Sequence, residues 1–131
     1  MKIATWNLER LKHLKKLDEI TAILKNLNAD ILILTETDER VRLDNYPFQM
    51  ATSKLSEYYS ESERRVKIYS KYEILRQIET CDDATSCCVE LKTGVGNLMV
   101  YGTIIGVFGN RRPDFKVDLL RQIDDFKKLS V

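Results

Sequence analysis

The chain has 131 residues, 44% of them hydrophobic and 31% charged, with 21 Lys+Arg against 20 Asp+Glu. That length suits a single domain, residues 1–131, and such a chain can bury a core without disulfides or a structural metal. A net charge of +1 excludes a supercharged basic arm, and the supply of Leu, Ile and Val excludes wholesale disorder.

The first residues, Met1 to Asn7, lack the apolar stretch of a signal peptide. No apolar run reaches the ~20 residues that span a bilayer, so no membrane span is expected and the cytoplasm is the expected compartment. Cys81, Cys87 and Cys88 are odd in number and clustered. They read as reduced thiols, buried or half-buried, rather than a disulfide framework.

In chain order, Lys2–Asn7 reads as a short strand. Leu11, Leu14, Leu17, Ile20, Leu24 and Leu27 then recur at steps of three and four, which predicts one helix of roughly four turns. Lys12, Lys15 and Lys16 fall on its solvated face. His13 is expected on its surface, and Trp6 beneath it in the core. After an exit at Asn28–Asp30, the run Ile31–Thr35 reads as a strand buried on both faces. Strand, helix and strand make a parallel crossover unit. Tyr46–Ala51 follows as an edge strand with Pro47 near its start. Ser53–Arg64, with Tyr58 and Tyr59, reads as a surface loop or a poor helix. Strands are then expected at Val66–Ser70, Glu73–Glu79, Ser86–Lys92 and Asn97–Ile105, the last two joined by a hairpin turn at Gly94–Asn97. Asp114–Leu129 closes as an amphipathic helix. The sum is a mixed α/β layer fold.

Two polar residues end the first two strands, Asn7 and Glu36. A parallel pairing puts both at the carboxyl edge of the sheet, where α/β folds place ligands. A carboxylate there suits a hard cation, and an amide can orient a phosphate oxygen or a water.

Thr5-Trp6-Asn7-Leu8 and Asp30-Ile31-Leu32-Ile33-Leu34-Thr35-Glu36 together resemble the opening of the endonuclease/exonuclease/phosphatase superfamily, with Thr35 where the family has Gln. Val66–Lys71 is similar to its strand ending in Ser-Lys, and Cys88–Leu91 and Leu98–Thr103 to the strands that follow. The resemblance implies roughly the first half of a DNase I-like four-layer α/β sandwich, incomplete at its C-terminus. It also implies hydrolysis of a phosphoester, nucleic acid included among the substrates, with Mg²⁺ or Mn²⁺ as cofactor. Glu36 then becomes the metal ligand and Asn7 the residue holding phosphate and attacking water. Arg111 and Arg112 are softer candidates for phosphate contact, because guanidinium forks suit phosphate oxygens.

The family completes its site with Gly-Asp-x-Asn and Ser-Asp-His segments, and neither occurs in these residues. Ile104 stands where the family often carries histidine. Little turnover is therefore expected from residues 1–131 alone. The alternative reading is a non-catalytic binding or interaction module that keeps the first half of the fold. Half a sandwich should also leave its inner sheet face partly uncovered, which favours self-association or completion by a further segment or chain.

Overall fold

In the computed structural model, residues 1–54, 59–105 and 114–130 are described. Strand β1 (Ile3–Asn7) leads through two short 3₁₀ turns, Glu9–Leu11 and Leu14–Lys16, into helix α1 (Leu17–Leu27). Strands β2 (Ile31–Asp38), β3 (Phe48–Ala51) and β4 (Glu63–Ser70) complete a four-stranded sheet of order β1-β2-β4-β3. Strands β5 (Glu73–Ile78), β6 (Ser86–Thr93) and β7 (Gly96–Thr103) form a second, antiparallel sheet in sequential order. Helix α2 (Asp114–Leu129) follows.

β1 and β2 are parallel, as the crossover requires, while β4 runs antiparallel to both β2 and β3. The alternating direction of side chains explains why the first half of β2, Ile31–Leu34, is apolar on both faces. Leu32 and Leu34 join Ile20, Leu24 and Tyr69 in the core under α1. Ile31 enters a second core with Val66, Ile68, Cys87, Val89, Leu91 and Val100, between the two sheets. The layers therefore run α1, first sheet, second sheet, α2. Gly102 marks the closest approach of the sheets: a Cβ there would lie 2.7 Å from Val66 Cγ1.

Several expectations are corrected. The stripe from Leu11 to Leu27 is not one helix. The backbone turns left-handed at Glu9, Arg10 and Leu11 (φ 50°, 58° and 54°), and the α-helix starts only at Leu17. Leu11 is buried at the base of that turn, whereas Leu14 is exposed. Trp6 is 39% exposed rather than core, because β1 is an edge strand with β2 as its one neighbour in the sheet. Tyr59 is 5% exposed, not a surface-loop residue, and β4 begins three residues before the expected Val66. The inner sheet faces are covered: Ile31, Val66, Ile68 and Val89 are fully buried between them. The exposed apolar residues are spread instead over the outer surface, among them Ile3 on β1, Ile23 on α1, Leu75 on β5, Val95 in the β6–β7 turn, Met99 on β7, and Leu120 and Phe126 on α2.

Cys87 and Cys88 are buried and point to opposite faces of β6, while Cys81 is exposed. Burial pushes the Cys87 thiol up to about 12. That keeps it protonated and inert at neutral pH.

Candidate phosphoester-binding site

The parallel register pairs Asn7 with Thr35, so Glu36 follows one residue beyond the end of that pairing. Leu8 N–H donates to Thr35 O at 2.9 Å and ties the exit of β1 to the same point. Asn7 and Glu36 therefore share the carboxyl edge of adjacent parallel strands. The Asn7 Oδ1 accepts from Glu9 N–H at 2.8 Å, an Asx-type turn that starts the left-handed run. With its oxygen accepting from Glu9, exposed Asn7 has its Nδ2 hydrogens to offer, the polarity a phosphate oxygen requires.

Three successive left-handed residues cost about 1–2 kcal/mol each. Burying Leu8 and Leu11, at 5% and 3% exposure, returns about 1.5–3 kcal/mol apiece. The turn is thus held by its two leucines, and what it displays is Arg10. The Arg10 guanidinium forks onto Glu63, Nε to Oε1 at 2.7 Å and Nη2 to Oε2 at 3.3 Å. It also lies over the Tyr59 ring, 4.4 Å from its centroid. Glu63 Oε2 further accepts from Ser60 N–H and Ser60 Oγ–H. Hydrogen bonding from Arg10 holds the Glu63 carboxyl below its ordinary range and lifts the guanidinium.

Glu36 sits at φ 46°, a left-handed conformation that costs a non-glycine residue free energy and clusters at functional sites. Its Oε1 lies 3.7 Å from Nη1 of Arg65, a guanidinium 4% exposed. Around these groups is a narrow cleft lined by Arg10, Glu36, Thr37, Tyr59, Glu63, Arg64 and Arg65. Its enclosed part measures about 10 Å³, room for one water-sized oxygen. The Thr37 hydroxyl is buried there with no hydrogen-bond partner among the described residues.

The two residues expected at the site, Asn7 and Glu36, are brought to one edge. Arg111 and Arg112 lie outside the described residues. His13 stands exposed between the two 3₁₀ turns. Arg10, Glu63 and Arg65 were not singled out from the sequence, and Tyr59 was read as part of a surface loop. The polar stretch before Val66 reads as solvated surface, and only the 53-residue separation of Arg10 from its partner Glu63 shows otherwise. Among the described residues, no group of three or more His, Cys, Asp or Glu side chains gathers as a closed metal cage.

No protein-family model matches the chain, and no curated protein matches it in sequence. Solved structures do. A beta toxin from Staphylococcus aureus with bound magnesium ions superposes with TM-score 0.68 at 20% identity, covering 98% of this chain and 59% of that one. TDP2 from C. elegans does so at 0.74 and 18%, covering 98% and 42%. An endonuclease/exonuclease/phosphatase family protein from Leptotrichia buccalis gives 0.63 and 11%, covering 95% and 62%. The chain thus spans less than two thirds of each of these proteins. The element order, the two stacked sheets and these likenesses identify the fold as a DNase I-like α/β sandwich, of which this chain carries part.

Proposed function

We propose that this chain carries the first half of the active site of a divalent-metal-dependent phosphoesterase. The observation that carries this reading is the shared position of Asn7 and Glu36 at the carboxyl edge of β1 and β2. The likeness to a magnesium-bound beta toxin supports it. Glu36 is the residue to hold the cation. A half-buried carboxylate with no thiol or imidazole beside it is a hard oxygen donor, and Mg²⁺ characteristically takes one or two carboxylates and completes its shell with water and substrate oxygens. When bound, such a cation supplies positive charge to the phosphoryl oxygens.

The chain's own residues then do the positioning. Asn7 donates through Nδ2 to a phosphate oxygen or the attacking water. Arg65 steadies the Glu36 carboxylate from behind, so that the charge stays aimed at the edge of the sheet. Held geometry and local charge supply most of the rate in phosphoryl chemistry. The substrate class is a phosphoester, nucleic acid included, and Mg²⁺ and Mn²⁺ both suit the donor set. No described helix is long and apolar enough to cross a membrane, and the cytoplasm is the proposed compartment.

The test uses the longest natural reading frame, the 131-residue chain and two variants. Glu36→Gln keeps the shape and removes the charge, so it should weaken Mg²⁺ binding and cut turnover of a generic phosphodiester by about 10² or more. Asn7→Ala should cut turnover with a smaller effect on metal affinity. The 131-residue chain alone should show little turnover, since it brings one carboxylate and one amide and no histidine to the site. Metal-dependent turnover indifferent to Glu36→Gln would place the chemistry elsewhere.

A further inference from the structure

The cleft beside Glu36 holds an arginine that the reading above does not use. Two of the five N–H donors of Arg10 go to Glu63, and Tyr59 covers one face of its guanidinium. Among the described residues the remaining donors have no hydrogen-bond partner, and the side chain is 41% exposed. Deeper in the same cleft lie Arg65 and the buried Thr37 hydroxyl, and the enclosed space between them suits a single oxygen atom. Three arginines line the cleft, each with a carboxylate partner: Arg10 with Glu63, Arg65 with Glu36 and Arg64 with Glu39. Nothing in the fold of β1 requires Arg10. Its left-handed backbone would be relaxed by glycine, so the residue occupies a costly conformation that its two leucine neighbours sustain.

From this arrangement we infer that Arg10 is a substrate-binding residue, gripping the phosphate at the mouth of the cleft while one phosphate oxygen enters toward Thr37 and Arg65. The inference rests on the phosphoesterase reading and gives that site its anion grip. Tyr59 supports the guanidinium against its ring, and Glu63 occupies two of its donors without being needed for the grip. A planar fork is the right instrument for a phosphate, since it offers parallel N–H donors at the spacing of two phosphate oxygens. Glu63 also competes with the ligand, because it is itself an anion bound to the same group.

That competition separates a substrate grip from a merely structural ion pair. Inorganic phosphate is titrated calorimetrically into the 131-residue chain, with and without Mg²⁺, for wild type, Arg10→Ala, Arg10→Lys, Glu63→Gln and Glu36→Gln, with thermal melts run on each. Arg10→Ala should weaken phosphate binding about tenfold, the loss of one charge-assisted contact, and Arg10→Lys should recover part of it. Glu63→Gln should leave phosphate affinity unchanged or raise it, although both Arg10→Ala and Glu63→Gln lower the melting temperature. Equal weakening by Arg10→Ala and Glu63→Gln would make the pair structural and overturn the inference. So would indifference to Arg10→Ala while Glu36→Gln still abolishes Mg²⁺ binding, an outcome that leaves the phosphoesterase reading standing. Phosphate binding that depends on Arg10, without Mg²⁺ binding at Glu36, would support the inference and sink the metal-dependent reading. A wild-type chain that binds neither ion overturns both.

Discussion

Asp38 ends β2 fully buried, and its two oxygens are completely used. Oδ1 accepts from the backbone N–H and Nε of Arg40, and Oδ2 from Arg40 Nη2 and Ser62 Oγ. Burial alone would raise this carboxyl; the hydrogen bonds from Arg40 and Ser62 outweigh it and hold the group below its ordinary value. Glu63, forked by Arg10, is lowered as well. A lowered folded-state value means that the unfolded chain binds the proton more readily, so this stability is present above the unfolded carboxylate range and lost as pH falls through the folded values. The urea midpoint should therefore hold at neutral pH and drop below about pH 4. Asp38→Asn should lower it at pH 7 and flatten the acid limb. An acid limb of unchanged steepness in Asp38→Asn would assign the sensitivity to other groups. The same residues show where single-residue reading fails. Glu63 and Arg65 look like solvated charge in a polar stretch, but they pair with Arg10, from the turn after β1, and Glu36, from β2.

At the scale of elements, Gly102 sets the spacing of the two sheets. A methyl group there would meet Val66 Cγ1 at 2.7 Å, with Ile33 Cγ2 and Ile68 Cγ1 each at 3.4 Å. Val66 is β-branched and fully buried on β4, so it cannot swing aside. Gly102→Ala should destabilise by about 1–3 kcal/mol through overpacking. Val66→Ala opens the matching space, so the double variant should lose less than the sum of the single losses in urea unfolding. Strict additivity would mean that the sheets separate rather than clash. Most strands, the β6–β7 hairpin and the bounds of α2 could be read from the sequence, because alternation and a three-to-four repeat follow directly from backbone geometry. The start of α1 could not. Leu11 and Leu14 keep helical spacing, but hydrophobic spacing carries no information about the sign of φ. The available cue was Asn7 two residues before Glu9, where a side-chain oxygen can seize a backbone N–H and redirect the chain.

Across the whole molecule, polar and apolar surface are distributed unevenly on α2. Its buried side includes Asp118, Gln122 and Asp125. Asp125 accepts from Tyr101 Oη–H at 2.6 Å and from Cys81 N–H at 2.8 Å, which anchors the helix to β7 and to the loop before β6. Val117, Leu120, Ile123 and Phe126 are 46%, 51%, 38% and 51% exposed. Leu120 and Ile123 are neighbours on the outer face. Val117 and Phe126 flank that face on opposite sides, and Phe126 also packs on Tyr101, so the band winds around the helix. Such exposed apolar surface gains free energy when covered. Half-exposed β1 and β7 residues, Trp6 and Met99 among them, add apolar surface at the sheet edges. The isolated 131-residue chain should therefore self-associate with rising concentration, seen as a growing weight-average mass in sedimentation equilibrium. Leu120→Lys with Ile123→Glu places opposite charges on the band without touching Asp118, Gln122 or Asp125. That pair should return the chain to a monomer at the same concentration and leave its melting temperature nearly unchanged, since exposed side chains contribute little to the folded core. A wild-type chain that stays monomeric across the range, or a double variant that associates equally, would show that the band is too small to drive association and that α2 is satisfied by water on its outer side.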